Sequence, residues 1–147
     1  MANLASQQYK KSLLNTYSIS SQAVATGDTL LFNNTNIDSG CSIDFTAGTG
    51  EITLTGPGAY LIIADASISA TGAGLVTMQI NRGGSAVNGA RSSVTVEAGS
   101  NYSSSVSTII NVLPSCRMIN NATTITVVNS GIATTYTNIN LTVIKLC

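Results

Sequence analysis

The chain has 147 residues, 44% of them apolar and only 8% charged, with six Lys+Arg balancing six Asp+Glu and no histidine. That length suits one domain with a sizeable core, and the zero net charge provides no basic field for nucleic acid. No apolar run reaches the ~18 residues a membrane helix needs, and the missing histidine removes the commonest general base and metal ligand.

The first fifteen residues contain Leu4, Leu13 and Leu14, which do not make a continuous helical stripe. Residues 1–15 therefore read as an arm, with Gln7, Gln8, Tyr9, Lys10 and Lys11 as polar docking groups. The arm has no apolar core of a secretory signal, so synthesis in the cytoplasm is expected.

Period-2 alternation runs from about residue 16 to the end, which makes 16–147 the folded domain. Short pieces at 17–20, 29–32 and 42–45 precede a clean alternation over 51–55. Gly56-Pro57-Gly58-Ala59-Tyr60 follows. Pro57 lacks a backbone donor and ends pairing, and the flanking glycines permit a sharp reversal. Tyr60 falls in phase with Ile62, Ala64, Ala66 and Ile68, so Pro57, Gly58 and Tyr60 set the register of a central strand. Leu61, Ile63, Asp65, Ser67 and Ser69 occupy its other face. Leu61 and Ile63 make that face apolar too, and a second apolar face calls for a neighbouring subunit.

Further strand patterns cover 76–81, 93–96, 103–113, 123–129 and 138–146. The turn formers between them include Gly72-Ala73-Gly74 and Arg82-Gly83-Gly84, both read as hairpins. Eight to ten short strands at this spacing predict an antiparallel sandwich or barrel.

Catalytic signals are sparse. The many serines have no histidine to activate them. Asp44 and Glu51 form a carboxylate pair of the kind glycosidases use, but they read as exposed strand and turn charges. Asp65 reads as a solvated or interface-lining polar position. Cys41, Cys116 and Cys147 lack metal-ligand spacing and read as free thiols, with a Cys41–Cys116 bridge left open. No enzyme activity, cofactor or metal is expected. Tyr102 and Tyr136 fall near strand ends or loops, where they would pack locally, stack on sugars or line a subunit contact.

The order "IDFTAGTGEITLTGPGAYLIIADASI", "GLVTMQINRGG" and "TITVVNSG…TNINLTVIKL" resembles the globular head of the complement–tumour necrosis factor superfamily. The bacterial and phage type is the nearest in flavour: tips of collagen-like spore-surface glycoproteins, phage head fibres and capsid decoration proteins. In that family a Pro-Gly-x-Tyr turn enters a central strand, and Pro57, Gly58 and Tyr60 match it. Ile80-Asn81-Arg82-Gly83 matches the following strand end, and 141–146 the closing strand. The resemblance covers roughly 16–147. It implies an all-β, antiparallel, ten-stranded jelly-roll sandwich that assembles as a homotrimer. Two departures matter. Few aromatics are present, so the trimer contact would be aliphatic and Thr/Asn based. Asn120-Asn121-Ala122 replaces the family's Gly-Asp pair, so a calcium site does not carry over.

The expected function is a non-enzymatic knob displayed on a bacteriophage virion through its arm. Its partners would be itself, a capsid or other virion protein, and surface glycans. A spore-surface protein and a carbohydrate-binding module are the alternatives. The expected subunit contact is the face of Leu61, Ile63 and Asp65, with Tyr136 nearby.

Overall fold

The computed structural model describes residues 11–114 and 122–147. Among them, eleven strand segments form two antiparallel sheets. β1 (Leu13–Ser18), β2 (Gln22–Val24), β3 (Asn34–Ser39), β6 (Gly58–Ser69), β9 (Asn101–Val112) and β11 (Thr134–Lys145) make a six-stranded sheet. β4 (Ile43–Phe45), β5 (Ile52–Leu54), β7 (Gly74–Arg82), β8 (Ser85–Val96) and β10 (Thr123–Asn129) make a five-stranded one. The strand orders are β3-β1-β11-β6-β9 and β4-β5-β10-β7-β8. β1 and β2 lie end to end along β11, opposite 139–144 and 134–136 respectively. Counted as one interrupted strand, they bring the total to the ten of the expected jelly roll.

The core lies between the sheets, where each strand's inward phase meets the other's. Tyr60, Ile62, Ala64, Ala66 and Ile68 of β6 are all buried, as the alternation predicts. Leu141 and Val143 of β11 face Ile52, Leu54, Ile80 and Ile125 of the opposing sheet in one continuous cluster. The apolar piece at 29–32 forms isolated bridges, Thr29 to Val128 and Phe32 to Thr49. It still sends Leu30 and Phe32 into the core.

Three sequence expectations change. The folded domain begins earlier than residue 16: Leu13 pairs with Ile144 and Ser39, and Leu14 is buried. Gly72-Ala73-Gly74 is not a hairpin, because β6 and β7 belong to different sheets. Likewise Gly56-Pro57 carries the chain from the five-stranded to the six-stranded sheet rather than reversing it within one. Glycine makes a bend cheap, but it carries no information about which sheet the next strand joins. Gly83-Gly84 does close a hairpin, with Arg82 opposite Ser85 and φ of +58° and +84°. Strand β3 escaped the pattern altogether, since five of its six residues are exposed at a sheet edge.

Tyr136 also departs from expectation. The pairing of β11 with β6 slips between Tyr136 and Asn138, leaving Thr137 as a bulge residue. Without the slip Tyr136 would share the outward phase of Asn138 and Asn140. With it the ring turns inward and is fully buried. Tyr136 is therefore absent from the surface of Leu61, Ile63 and Asp65. Burial pushes its phenol up to about 12. A phenol raised above its unfolded value of ~10 contributes stability that is complete below ~pH 10 and is lost as pH rises toward 12. Wild type should thus lose roughly 2–3 kcal/mol across that window. Denaturant titrations of wild type and Tyr136→Phe at pH 9 and 11.5 check this: the variant's stability should fall less, and parallel curves would refute the assignment.

Candidate functional site

The outward face of the six-stranded sheet carries the residues singled out in β6. Antiparallel register places directly paired residues on the same face. Leu61 lies between Ile144 of β11 and Ile109 of β9, and Ile144 in turn pairs with Leu13 of β1. These four make an apolar row across four strands, roughly 15 Å wide at ordinary strand spacing. The next row is Asn15, Thr142, Ile63 and Ser107, and the third is Tyr17, Asn140, Asp65 and Ser105. Beyond it come Asn138, Ser67 and Ser103. The face therefore grades from aliphatic at one end to hydroxyl and amide at the other. Ile109 is 58% exposed, a large apolar side chain in open solvent.

Asp65 is the one charged side chain among these outward positions. Its Oδ1 accepts a hydrogen bond from Ser105 Oγ at 2.5 Å. On the neighbouring strands the polar rows are tied together. Asn15 Nδ2 donates to Asn140 Oδ1 and Thr142 Oγ1, both at 2.9 Å, and Asn36 Nδ2 donates to Asn15 Oδ1 at 2.8 Å. These amides are held in place by one another, so their ordering would add little entropic cost to any contact made there.

Pro57, Gly58 and Tyr60 sit where the chain enters β6, at the aliphatic end of this face. Tyr60 Oη donates to Gly56 O at 2.5 Å, and burial pushes its phenol up. Lys145 Nζ lies 5.9 Å above the Tyr60 ring and donates to Ser42 Oγ at 3.3 Å. Gly58 has φ of +144°, and a Cβ there would strike the Cys147 carbonyl. The turn is thus locked at both ends.

Of the residues expected to dock, Lys11 is exposed and donates from Nζ to Leu146 O at 3.0 Å. Gln7, Gln8, Tyr9 and Lys10 lie outside the described residues, as does Cys116, so the Cys41–Cys116 pairing does too. Cys41 and Cys147 are exposed, and neither is in a disulfide among the described residues. Asp44 and Glu51 are exposed charges on and beside the short strands β4 and β5. Among the described residues no three His, Cys, Asp or Glu groups converge as a metal site would require.

Leu13, Ile109 and Ile144 were missed from the sequence. Ile109 and Ile144 each sit out of phase beside an apolar residue of the buried phase, Ile110 and Val143. That is the same two-faced signal that exposed Leu61 and Ile63.

No protein-family model and no curated protein matches the chain. Among solved structures it is similar to the globular domain of zebrafish complement 1qA protein, at 11% identity and a TM-score of 0.69, covering 93% of this chain and 98% of that one. It is similar to Eiger TNF from S. frugiperda at 9% identity and a TM-score of 0.72, covering 93% of each chain. It is also similar to PRD1 vertex protein P5, at 18% identity and a TM-score of 0.58, covering 92% and 97%. At these identities the likeness is one of fold: the chain is an all-β jelly roll of the TNF and complement 1q type.

Proposed function

We propose that the chain is a non-enzymatic, homotrimeric jelly-roll knob, held on a bacteriophage virion by its first ten or so residues. The observation that carries this is the outward face of the six-stranded sheet. It has an aliphatic row, preordered amides and a single charge, the depletion of charge that marks the centre of a protein contact. An exposed aliphatic row of this kind is a poor surface for a free monomer. A face that meets a different patch on the next copy closes into a ring when the rotation allows, and three copies make the smallest such ring beyond a dimer. The virion setting is supported by the likeness to PRD1 vertex protein P5.

Light scattering at micromolar concentration should find three chains per particle, and a stable monomer would sink the reading. The docking arm has its own test. Because Ser12 Oγ accepts from Ser42 N and Leu14 is core, a deletion must stop before Lys11. Removing residues 2–10 should leave the trimer intact and abolish its incorporation into particles. Normal decoration by the truncated chain would rule out the arm as the anchor.

A further inference from the structure

The opposite surface of the molecule, the outward face of the five-stranded sheet, holds a hollow of about 540 Å³ between β8, β7 and residues 130–132. Its construction begins with Gln79. The β7–β8 pairing slips between Gln79 and Asn81, so 87–90 bulge out opposite Ile80, with Gly89 at φ +80°. Gln79 fills the bulge and is 3% exposed. Its Nε2 shares its two hydrogens among three carbonyls, Ile80 at 2.9 Å, Val87 at 3.1 Å and Ala90 at 3.0 Å. That fixes the amide and leaves Oε1 facing outward, where it accepts from Arg91 Nε at 3.0 Å.

Arg91 is therefore a guanidinium with one edge anchored and two terminal nitrogens without a partner among the described residues. It lines the hollow beside Leu75, which is 49% exposed, and Ile132. Thr26 and Ser130 stand on the far rim. That rim is held close: Ser130 N and Ile132 N donate to Thr77 O and Leu75 O, both at 2.9 Å, and Thr26 Oγ1 donates to Gly131 O at 2.7 Å. A Cβ on Gly131 would collide with the β7 backbone, so the rim can only sit there as glycine.

We propose that this hollow binds a carboxylate-bearing, N-acetylated sugar. The oriented fork of Arg91 matches a carboxylate bidentately. Leu75 and Ile132 offer an apolar seat for the acetyl methyl, and the rim hydroxyls meet sugar hydroxyls. The hollow is open, which suits a single pyranose ring better than a peptide terminus needing an enclosed side-chain slot. The hollow lies on the sheet opposite the aliphatic row and is lined entirely by one chain, so the inference does not require the chain to trimerise. In a trimer three such hollows would add avidity to a weak site.

The test is an amide-NMR titration of the full chain with N-acetylneuraminic acid, with N-acetylglucosamine as the neutral sugar and N-acetylleucine as the peptide-like carboxylate. The acidic sugar should give saturable shifts at 75–77, 91 and 130–132 with a Kd of about 1 mM, ordinary for so small a ligand. Arg91→Gln should weaken binding at least ~tenfold and Arg91→Lys by a smaller factor, since the ammonium keeps the charge but not the fork. Leu75→Ser, a second exposed site, should weaken it roughly threefold. Equal binding of the neutral sugar, tighter binding of N-acetylleucine, unchanged affinity in Arg91→Gln, or no shifts at ~20 mM (far above the expected Kd) would each overturn the proposal.

Discussion

Leu61→Asp is expected to yield a folded monomer. Leu61 occupies the middle of the aliphatic row, flanked by Ile144 and Ile109, and its side chain points away from the core. Within one copy the change removes only cross-strand apolar contacts, worth roughly 0.2–1 kcal/mol each. The melting curve of the isolated chain should therefore move little. In the proposed trimer the same change places three unpaired carboxylates in contacts that exclude water. Each such charge costs several kcal/mol, on the order of 3–5 when no partner is supplied. The assembly midpoint should then rise by far more than a hundredfold, since ~1.4 kcal/mol is already tenfold. Thr95→Asp, at an exposed outward position of β8 on the other sheet, is the matched control and should leave assembly unchanged. Sedimentation velocity on the three proteins decides the matter: a trimeric Leu61→Asp particle would place the subunit contact elsewhere.

The largest loss of fold stability is expected from Asn129→Leu. Asn129 ends β10, completely buried at the end of the core. Its Nδ2 donates to Val24 O at 3.1 Å and Ile132 O at 2.9 Å, and its Oδ1 accepts from Tyr136 Oη at 3.2 Å. One side chain thereby satisfies groups from β2, the β10–β11 crossover and β11. Leucine has similar bulk and no polar atom, so all three partners would be left buried and unpaired. At ~1–3 kcal/mol for each of the three orphaned groups, the loss is about 3–9 kcal/mol. That is a large share of the 5–15 kcal/mol a domain usually has. Urea denaturation should show the midpoint falling with little change in slope. Asn129→Asp is the companion variant: it keeps the acceptor for Tyr136 but cannot donate to the two carbonyls. A loss below ~1 kcal/mol in Asn129→Leu would mean the cluster is not a structural hub.

How much of this was readable in advance depends on the range of each interaction. Side-chain alternation is set by the strand backbone itself, two residues at a time. That is why Tyr60 to Ile68 were correctly assigned to the core and Leu61, Ile63 and Asp65 to the other face. The Pro57-Gly58-x-Tyr60 marker was equally local, and the jelly roll it implied is the fold observed. Edge strand β3 gave no such signal, because a strand with nearly every side chain in water has no reason to alternate.

The composition and phase of the chain alone determined an all-β domain whose central strand is partly apolar on both faces. Only the tertiary structure decided which sheet each strand joins. A glycine turn permits a crossover and a hairpin alike, and the choice rests on contacts between residues far apart in the chain. The tertiary structure alone turned Tyr136 inward, through a one-residue slip that depends on β6 as well as β11. It alone brought Gln79 under Arg91, because the bulge that joins them exists only where β7 and β8 pair out of step. Period-2 reasoning propagates along one strand; a slip between two strands resets the phase, and nothing within either strand announces it.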